Sequence, residues 1–470
     1  MQSLMIPKGV NADIERLVRQ FIWGSSDGHP KLSLVGSNSI CQPKTRGGLG
    51  FRHLEDQNSS FLMKIGFNLV SKSNTLWVRV LRAKYGWKDN FLDSINKCQC
   101  SHLWRALSKT WPLLRENLAS SIGDGVSARC WKDPWIPGMG PLISSIPSYA
   151  NLDLDCCVRE MVNSDGCWNL DLFRVWVSED IINRIISVPP PHHDSGPDRI
   201  IWTKSASGVF SVRSAYWHLK ENSWNSQEDY WKIVWKYPGP QRVRVFLWLA
   251  FKQKLLTNSE RARRGFSHCS SCSICGHEFE DLVHVLRDCP PAKEVWRLDY
   301  GLVWSCLFGL VAWRIWKNRN LFIFQHISWT ASGVVKVSSC WGRNYISHVG
   351  DNIINKQNSP LMVNLDDTWV FLSTDGAVTR DSGYAATGGV ARDQNGNWIV
   401  GFNRFLGVCS PFEAEVWAIL DGILILLNKG YKQIIIMTDN LEVAQILNDM
   451  DLEDSGITVL RRTLRIMHSE

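Results

Sequence analysis

The sequence predicts a multidomain α+β protein, with a helical, metal-stapled middle region and a C-terminal α/β domain. Three observations carry this. At 470 residues the chain exceeds what one hydrophobic core organises, so two to four domains are expected. Cysteines and a histidine cluster between Cys272 and Cys289 at metal-ligand spacing. Beyond Trp369, short apolar runs alternate with an amphipathic helical pattern, the signature of an α/β layer.

Composition narrows the class. Hydrophobic residues make up 44% and charged residues 21%, the profile of a folded chain and not of a disordered one. Tryptophan is over-represented at 24 residues, which serves cores first and base-stacking surfaces second. The net charge of +7 is unevenly spread. Residues 361–470 hold 8 Lys/Arg against 15 Asp/Glu, a balance of −7, leaving 44 against 30, or +14, on the first 360. A basic body joined to an acidic end suits an enzyme that grips a polyanion with one part and holds cations with the other. Fourteen cysteines without a secretory leader point to a reducing compartment, nuclear or cytoplasmic. No membrane span is expected, because the most apolar stretch, Val303 to Trp316, is short and interrupted by Arg314.

Taken in order, the chain opens with an amphipathic helix over Ala12–Trp23, ended by Gly24, and a Pro/Gly-rich turn at Pro43–Gly50. A second helix carries Leu54, Phe61, Leu62, Ile65 and Leu69. The Ile122-Gly123-Asp124-Gly125 turn is expected to join two strands, and Gly208–Val212 to form a short strand before a helix opened by Ser214. Between Trp231 and Gly265 nine Lys/Arg stand against one acid, interleaved with Trp231, Trp235, Tyr237, Phe246, Trp248 and Phe251. Cations for phosphates and aromatic faces for bases make nucleic acid a candidate partner there; a solvated amphipathic helix face is the competing reading. Residues 349–365 read as a polar linker. In the last domain, Trp369–Ser373, Thr387–Arg392, Trp398–Phe402 and Gln433–Thr438 read as strands, Gln394–Asn397 as a hairpin turn, and Phe412–Asn428 as a helix.

Two constellations carry chemistry. Cys272-x2-Cys275 followed by His284-x4-Cys289 supplies two thiolates from a tight turn and a His/Cys pair from a helix, as a tetrahedral structural Zn²⁺ requires. Nearby Arg and Lys are expected to favour the thiolates, and Cys269 and His277 stand close enough in sequence to replace a ligand. The second constellation is acidic. Asp375 ends one apolar run, Asp439 ends another, and Glu413 and Glu415 lie on the helix between them. Oxygen ligands of this kind suit two Mg²⁺ ions about 4 Å apart, which activate a water and stabilise a leaving oxygen in phosphodiester hydrolysis. Helix geometry alone leaves Glu413 and Glu415 open, since both flank the apolar face.

The motifs resemble a known family. Ser373-Thr374-Asp375-Gly376-Ala377, Gly388–Asp393, Glu413–Trp417 and Thr438-Asp439-Asn440 resemble the ribonuclease H domain of plant retroelement proteins. Trp235, Pro240, Phe246-Leu247-Trp248, Thr257, Arg264-Gly265, Cys272, Cys275, His284, Cys289 and Trp296 are similar to the zinc-binding domain that follows reverse transcriptases in plant non-LTR (LINE-type) retrotransposons. Phe21–Gly24, Cys41–Lys44, Gly47–Phe51, Lys84–Gly86, Trp131–Trp135 and Ala312–Asn320 continue the likeness. It implies a remnant of the region after a polymerase palm at 1–150, a connector at 151–226 and a zinc-binding domain at 227–300. A helical connector at 301–365 and a ribonuclease H-like domain at 366–470 follow. The implied activity is hydrolysis of the RNA strand of RNA–DNA hybrids with two Mg²⁺ ions on Asp375, Glu415 and Asp439, Glu415 being the motif's glutamate. The family's fourth carboxylate lies on a segment beyond the next strand. The chain ends at Glu470 before it, so a truncated domain is expected, with Asp449, Asp451 and Asp454 as the remaining nearby acids. Polymerase activity is rejected for want of a palm. The alternative is a non-catalytic, zinc-containing nucleic-acid-binding remnant.

Overall fold

The computed structural model describes residues 4–23, 32–87, 91–92, 94–95, 100–147, 149–298, 304–353, 369–449 and 456–468. The heart of the expected linker, 354–360, and the acids Asp451 and Asp454 lie outside these. Contacts divide the chain into two compact units, one of Pro7–Leu54 with Lys220–Met362, the other of Met1–Ile6, Glu55–Leu219 and Val363–Glu470. Residues of the expected first segment thus contribute to both.

The unit containing the cysteines is helical. Its principal helices are α1 (Gln241–Phe251), α2 (Pro290–Arg297), α3 (Trp304–Gln325) and α4 (Ala331–Ile353). Trp248, Val243, Phe246 and Trp231 are core residues, so the aromatic rings expected as base platforms mostly pack inward. The early glycine turn is part of this core. Gly47 adopts a left-handed φ of 80°, a Cβ there would lie 2.5 Å from the Trp231 ring, and its carbonyl accepts the Trp248 indole N–H at 2.9 Å. The basic stretch is largely consumed as well. Arg244 donates to the Tyr237 carbonyl, Lys252 to Ser39, and Arg263 and Arg264 bind Glu260, whose pKa they push down to about 2. Glu280 and Arg319 of α3 form a buried ion pair, 0% and 3% exposed.

The other unit holds a four-stranded sheet, β3 (Trp369–Val378), β4 (Tyr384–Asp393), β5 (Trp398–Val408) and β6 (Gln433–Met437), preceded by a two-stranded ribbon of β1 (Leu118–Ser121) and β2 (Arg199–Trp202). The sheet order is β5-β4-β3-β6, antiparallel except for β6 against β3. Helix α5 (Pro411–Asn428) covers it through Ala414, Ile419, Leu420 and Leu426, all essentially buried; α6 (Leu441–Asp449) and α7 (Thr458–His468) follow. Strands β3 and β5 run five and six residues past their expected ends, because antiparallel pairing with β4 continues through Asp375 and Gly376 despite their poor strand propensity.

Two expectations are corrected in this unit. The Gly-Asp-Gly turn does not join consecutive strands. It is wound around Asp198, whose carboxylate accepts the N–H groups of Gly123, Gly125, Ser127 and Ala128, and β1 pairs with the distant β2. Gly208–Val212 is not a strand, since Gly208 turns back to accept the Trp202 N–H at 2.8 Å. The ribbon also fastens the last helix. Arg461 of α7, 2% exposed, donates to the carbonyls of Ser121, Ile122, Ser195 and Pro197, and Thr458 donates to Ile122. Segment 118–202 and the C-terminal sheet therefore form one packed body. No described helix is long and apolar enough to cross a membrane.

Candidate functional site

The carboxylate site is assembled by register. Parallel pairing sets Ser373 opposite Met437, so Asp375 and Asp439, each two residues further on, stand level just past the end of β6. Asp375 itself lies inside β3, opposite Gly388, and not at the strand's end as the apolar run suggested. Gly376 then decides how close the helix comes. A Cβ at this position would sit 2.6 Å from Ala414 C and Glu415 N, so only glycine lets the first turn of α5 rest on the strand. That contact delivers Glu415 to Asp375 and Asp439.

The two glutamates separate cleanly. Glu413 belongs to a capping box: Ser410 Oγ accepts the Glu413 N–H, and Glu413 Oε2 accepts the Ser410 N–H at 3.0 Å. Glu415 is 6% exposed, and its Oε2 is buried with no hydrogen-bond partner. Burial pushes its pKa up, the charges of Asp439 and Asp375 push the same way, and the Gly376 N–H and Thr438 hydroxyl oppose them. Asp439 is free of the capping role open to it, because Asn440 Oδ1 accepts the N–H groups of Glu442 and Val443. An orphaned buried carboxylate oxygen beside two more carboxylates is the donor set a hard divalent cation takes. Asp449, at the end of α6, belongs to a different element.

The cysteine cluster is tighter. Ligand atoms of Cys272, Cys275, His284 and Cys289 all lie within 4.8 Å of one another. Cys272 Sγ is 3.9 Å from Cys289 Sγ, and Cys275 Sγ is 3.3 Å from His284 Nε2. Tetrahedral ligands at zinc–sulfur bond length stand about 3.8 Å apart, so the set fits the ion. Local structure explains the convergence. Gly276, at φ 79°, lets the Cys272–His277 knuckle close with Cys272 N–H on the His277 carbonyl. His284 opens a single π-type turn and Cys289 caps α2 ahead of Pro290. Cys269 is exposed and bonded to Ser271, while the His277 ring stacks on His284 at 4.6 Å, so neither belongs to the cluster. The expected help from Arg and Lys is not realised. Burial, chiefly, raises the Cys272 and Cys289 thiols, Arg287 is spent on Asp288, and burial lowers His284. A metal ion bound there would favour the thiolates.

Among the described residues, His192, His193 and Asp194 form the one other such cluster, but these are consecutive, largely exposed and tied to each other. Among the described residues, Asp375, Glu415 and Asp439 do not close to that mutual spacing. Sequence reasoning passed over the Ser410-x-x-Glu413 capping signal, which separates the glutamates, and over Arg319, legible only as part of a Trp-rich helix.

Known proteins resemble this chain, one of them over most of its length. The family model described as zinc-binding in reverse transcriptase matches residues 210–296, and one described as reverse transcriptase-like matches residues 373–469. A putative ribonuclease H protein of Arabidopsis thaliana is 30% identical over 466 aligned residues, covering 90% of this chain and 74% of the relative. An uncharacterized mitochondrial protein of the same plant is 33% identical over 143 residues, 30% of this chain and 93% of its own. Among solved structures, ribonuclease H1 from the halophilic archaeon Halobacterium salinarum NRC-1 matches 22% of this chain and 75% of its own at 22% identity, with a TM-score of 0.19. The chain belongs to the family of retrotransposon-derived proteins in which a reverse-transcriptase zinc-binding domain precedes a ribonuclease H-like domain.

Proposed function

We propose that the domain over 366–470 hydrolyses the RNA strand of RNA–DNA hybrids, with Asp375, Glu415 and Asp439 as ligands for two Mg²⁺ ions. We propose also that the domain over 227–300 holds a structural Zn²⁺ on Cys272, Cys275, His284 and Cys289. The observation that carries the first reading is Glu415: a carboxylate with an orphaned buried oxygen, facing two like charges, costs stability unless a cation pairs with it. The ions, when bound, supply charge neutralisation at the phosphodiester and a water of lowered pKa. The protein's own part is positional. Strand register fixes Asp375 against Asp439, Gly376 admits the helix, and burial of Glu415 keeps bulk water from competing for its oxygens. Hybrid selection rests on minor-groove shape and 2′-hydroxyl contacts.

The test is incubation of the purified protein with Mg²⁺ and an end-labelled hybrid beside its Asp375→Asn variant. Cleavage lost in the variant supports the reading. Absence of cleavage by the unaltered protein, with salt-sensitive nucleic-acid binding retained, refutes it in favour of a non-catalytic binding protein, the reading favoured by the Lys/Arg-rich stretch between Trp231 and Gly265.

A further inference from the structure

The zinc-bearing unit has an open feature that neither the cysteine cluster nor the carboxylate site uses. A cleft of about 710 Å³ opens between α1, the turn after helix Asn258–Arg263, and α3. Four cations line it: Arg319, which is paired with Glu280, and Arg242, Arg261 and Lys317, none of which is paired with a carboxylate among the described residues, whereas the nearby Arg263 and Arg264 are. Among the described residues no Asp or Glu lines the cleft. Two of its aromatic rings face outward, Phe266 at 52% and Phe324 at 68% exposure. Arg242 also stacks over Trp341 at 4.3 Å, holding its guanidinium at the cleft's edge.

Unpaired cations on an apolar floor attract a polyanion, and exposed rings give unpaired bases faces to stack on. A duplex keeps its base faces inside and cannot use the rings. We propose that this cleft binds single-stranded nucleic acid without strong sequence preference, Arg242, Arg261 and Lys317 meeting phosphates while Phe266 and Phe324 stack on bases. The site lies wholly within the zinc-bearing unit and stands independently of the carboxylate reading.

The experiment measures fluorescence anisotropy of labelled oligo(dT) and of a blunt DNA duplex against salt. It uses the full chain carrying Asp375→Asn, so that no probe is cut. Arg261→Gln with Lys317→Gln is expected to weaken oligo(dT) binding at least about tenfold and to flatten the log–log salt slope by about 1.4, two single-strand phosphate contacts. Phe266→Ala with Phe324→Ala is expected to weaken oligo(dT) about tenfold or more, leave the slope unchanged and leave duplex binding unchanged. All four side chains are solvent-accessible, and unaltered zinc content and circular dichroism verify the fold of each variant. An unchanged slope in the cation variant, equal oligo(dT) affinity in the ring variant, or equal loss of duplex and single-strand binding in the ring variant would overturn the proposal. Displacement of oligo(dT) by an equimolar acidic peptide would overturn it too. Hybrid cleavage by the same variants carrying Asp375 is read separately, so failure of the cleft and failure of the hydrolase reading give different results.

Discussion

Replacing Glu415 by Gln should stabilise the metal-free protein while removing a ligand of the proposed Mg²⁺ site. The native carboxylate is 6% exposed, one oxygen has no partner, and Asp375 and Asp439 add like charge. A buried, incompletely satisfied polar group costs about 1–3 kcal/mol, more when charged, and Gln keeps the shape while offering an amide N–H to the neighbouring carboxylates. The gain should be about 1–3 kcal/mol at pH 7, or very roughly 2–4 °C in Tm for each kcal/mol in a unit of this size. The pH dependence has a definite sign. The folded-state pKa of Glu415 is raised above its ordinary 4.5, so the native protein recovers this stability once the group is protonated and loses it as pH rises through the folded-state pKa. The advantage of Gln is therefore full at neutral pH and vanishes below the ordinary carboxylate range. Calorimetry of both proteins after Mg²⁺ removal, at pH 7 and near pH 4, makes the comparison. Added Mg²⁺ should raise the native Tm and leave the variant's nearly unmoved. A variant less stable than the native protein at pH 7 without Mg²⁺ refutes the reasoning.

Other perturbations test the supporting structure. Cys272→Ser with Cys275→Ser should abolish stoichiometric zinc, measured by metal analysis of the purified protein; equal zinc in both proteins rules out the site. Arg319→Met leaves Glu280 buried and unpaired and should cost about 3–5 kcal/mol in denaturant unfolding, most of it restored by adding Glu280→Leu. A double variant as unstable as the single one contradicts that account. Arg461→Met strips donors from carbonyls of Ser121, Ile122, Ser195 and Pro197, and should cost about 2–3 kcal/mol and open α7 to limited proteolysis. Unchanged protease resistance of α7 would show that the ribbon does not fasten it.

The site was more legible in the sequence than the body that carries it. Asp375 and Asp439 follow apolar runs that pair in parallel, and pattern alone puts such residues near one edge. Cys272, Cys275, His284 and Cys289 are close in sequence, so spacing was nearly sufficient to group them. The capping role of Glu413 was written in the Ser410-x-x-Glu413 signal, though helix geometry left the two glutamates open. What pattern could not supply is long-range. Arg461 meets Ser121 across 340 residues, and Gly47 sits against Trp231 and Trp248 of a distant helix pair. The same limit left the basic stretch open between two readings: interleaved Arg and Trp look alike whether the rings face solvent or a core, and here Trp231 and Trp248 face the core. The cations left for ligands come partly from that stretch, Arg242 and Arg261, and partly from α3, Lys317, with which it shares a cleft only after folding.

The most direct measurement is cleavage of an end-labelled RNA–DNA hybrid with Mg²⁺, by the native protein and by Asp375→Asn, Glu415→Gln and Asp439→Asn singly, beside free RNA and duplex DNA. The account predicts cuts in the RNA strand of the hybrid alone, lost in each of the three variants while all still bind the hybrid. Native protein that leaves the hybrid intact, or a Glu415→Gln variant that cuts it at the native rate, contradicts the account.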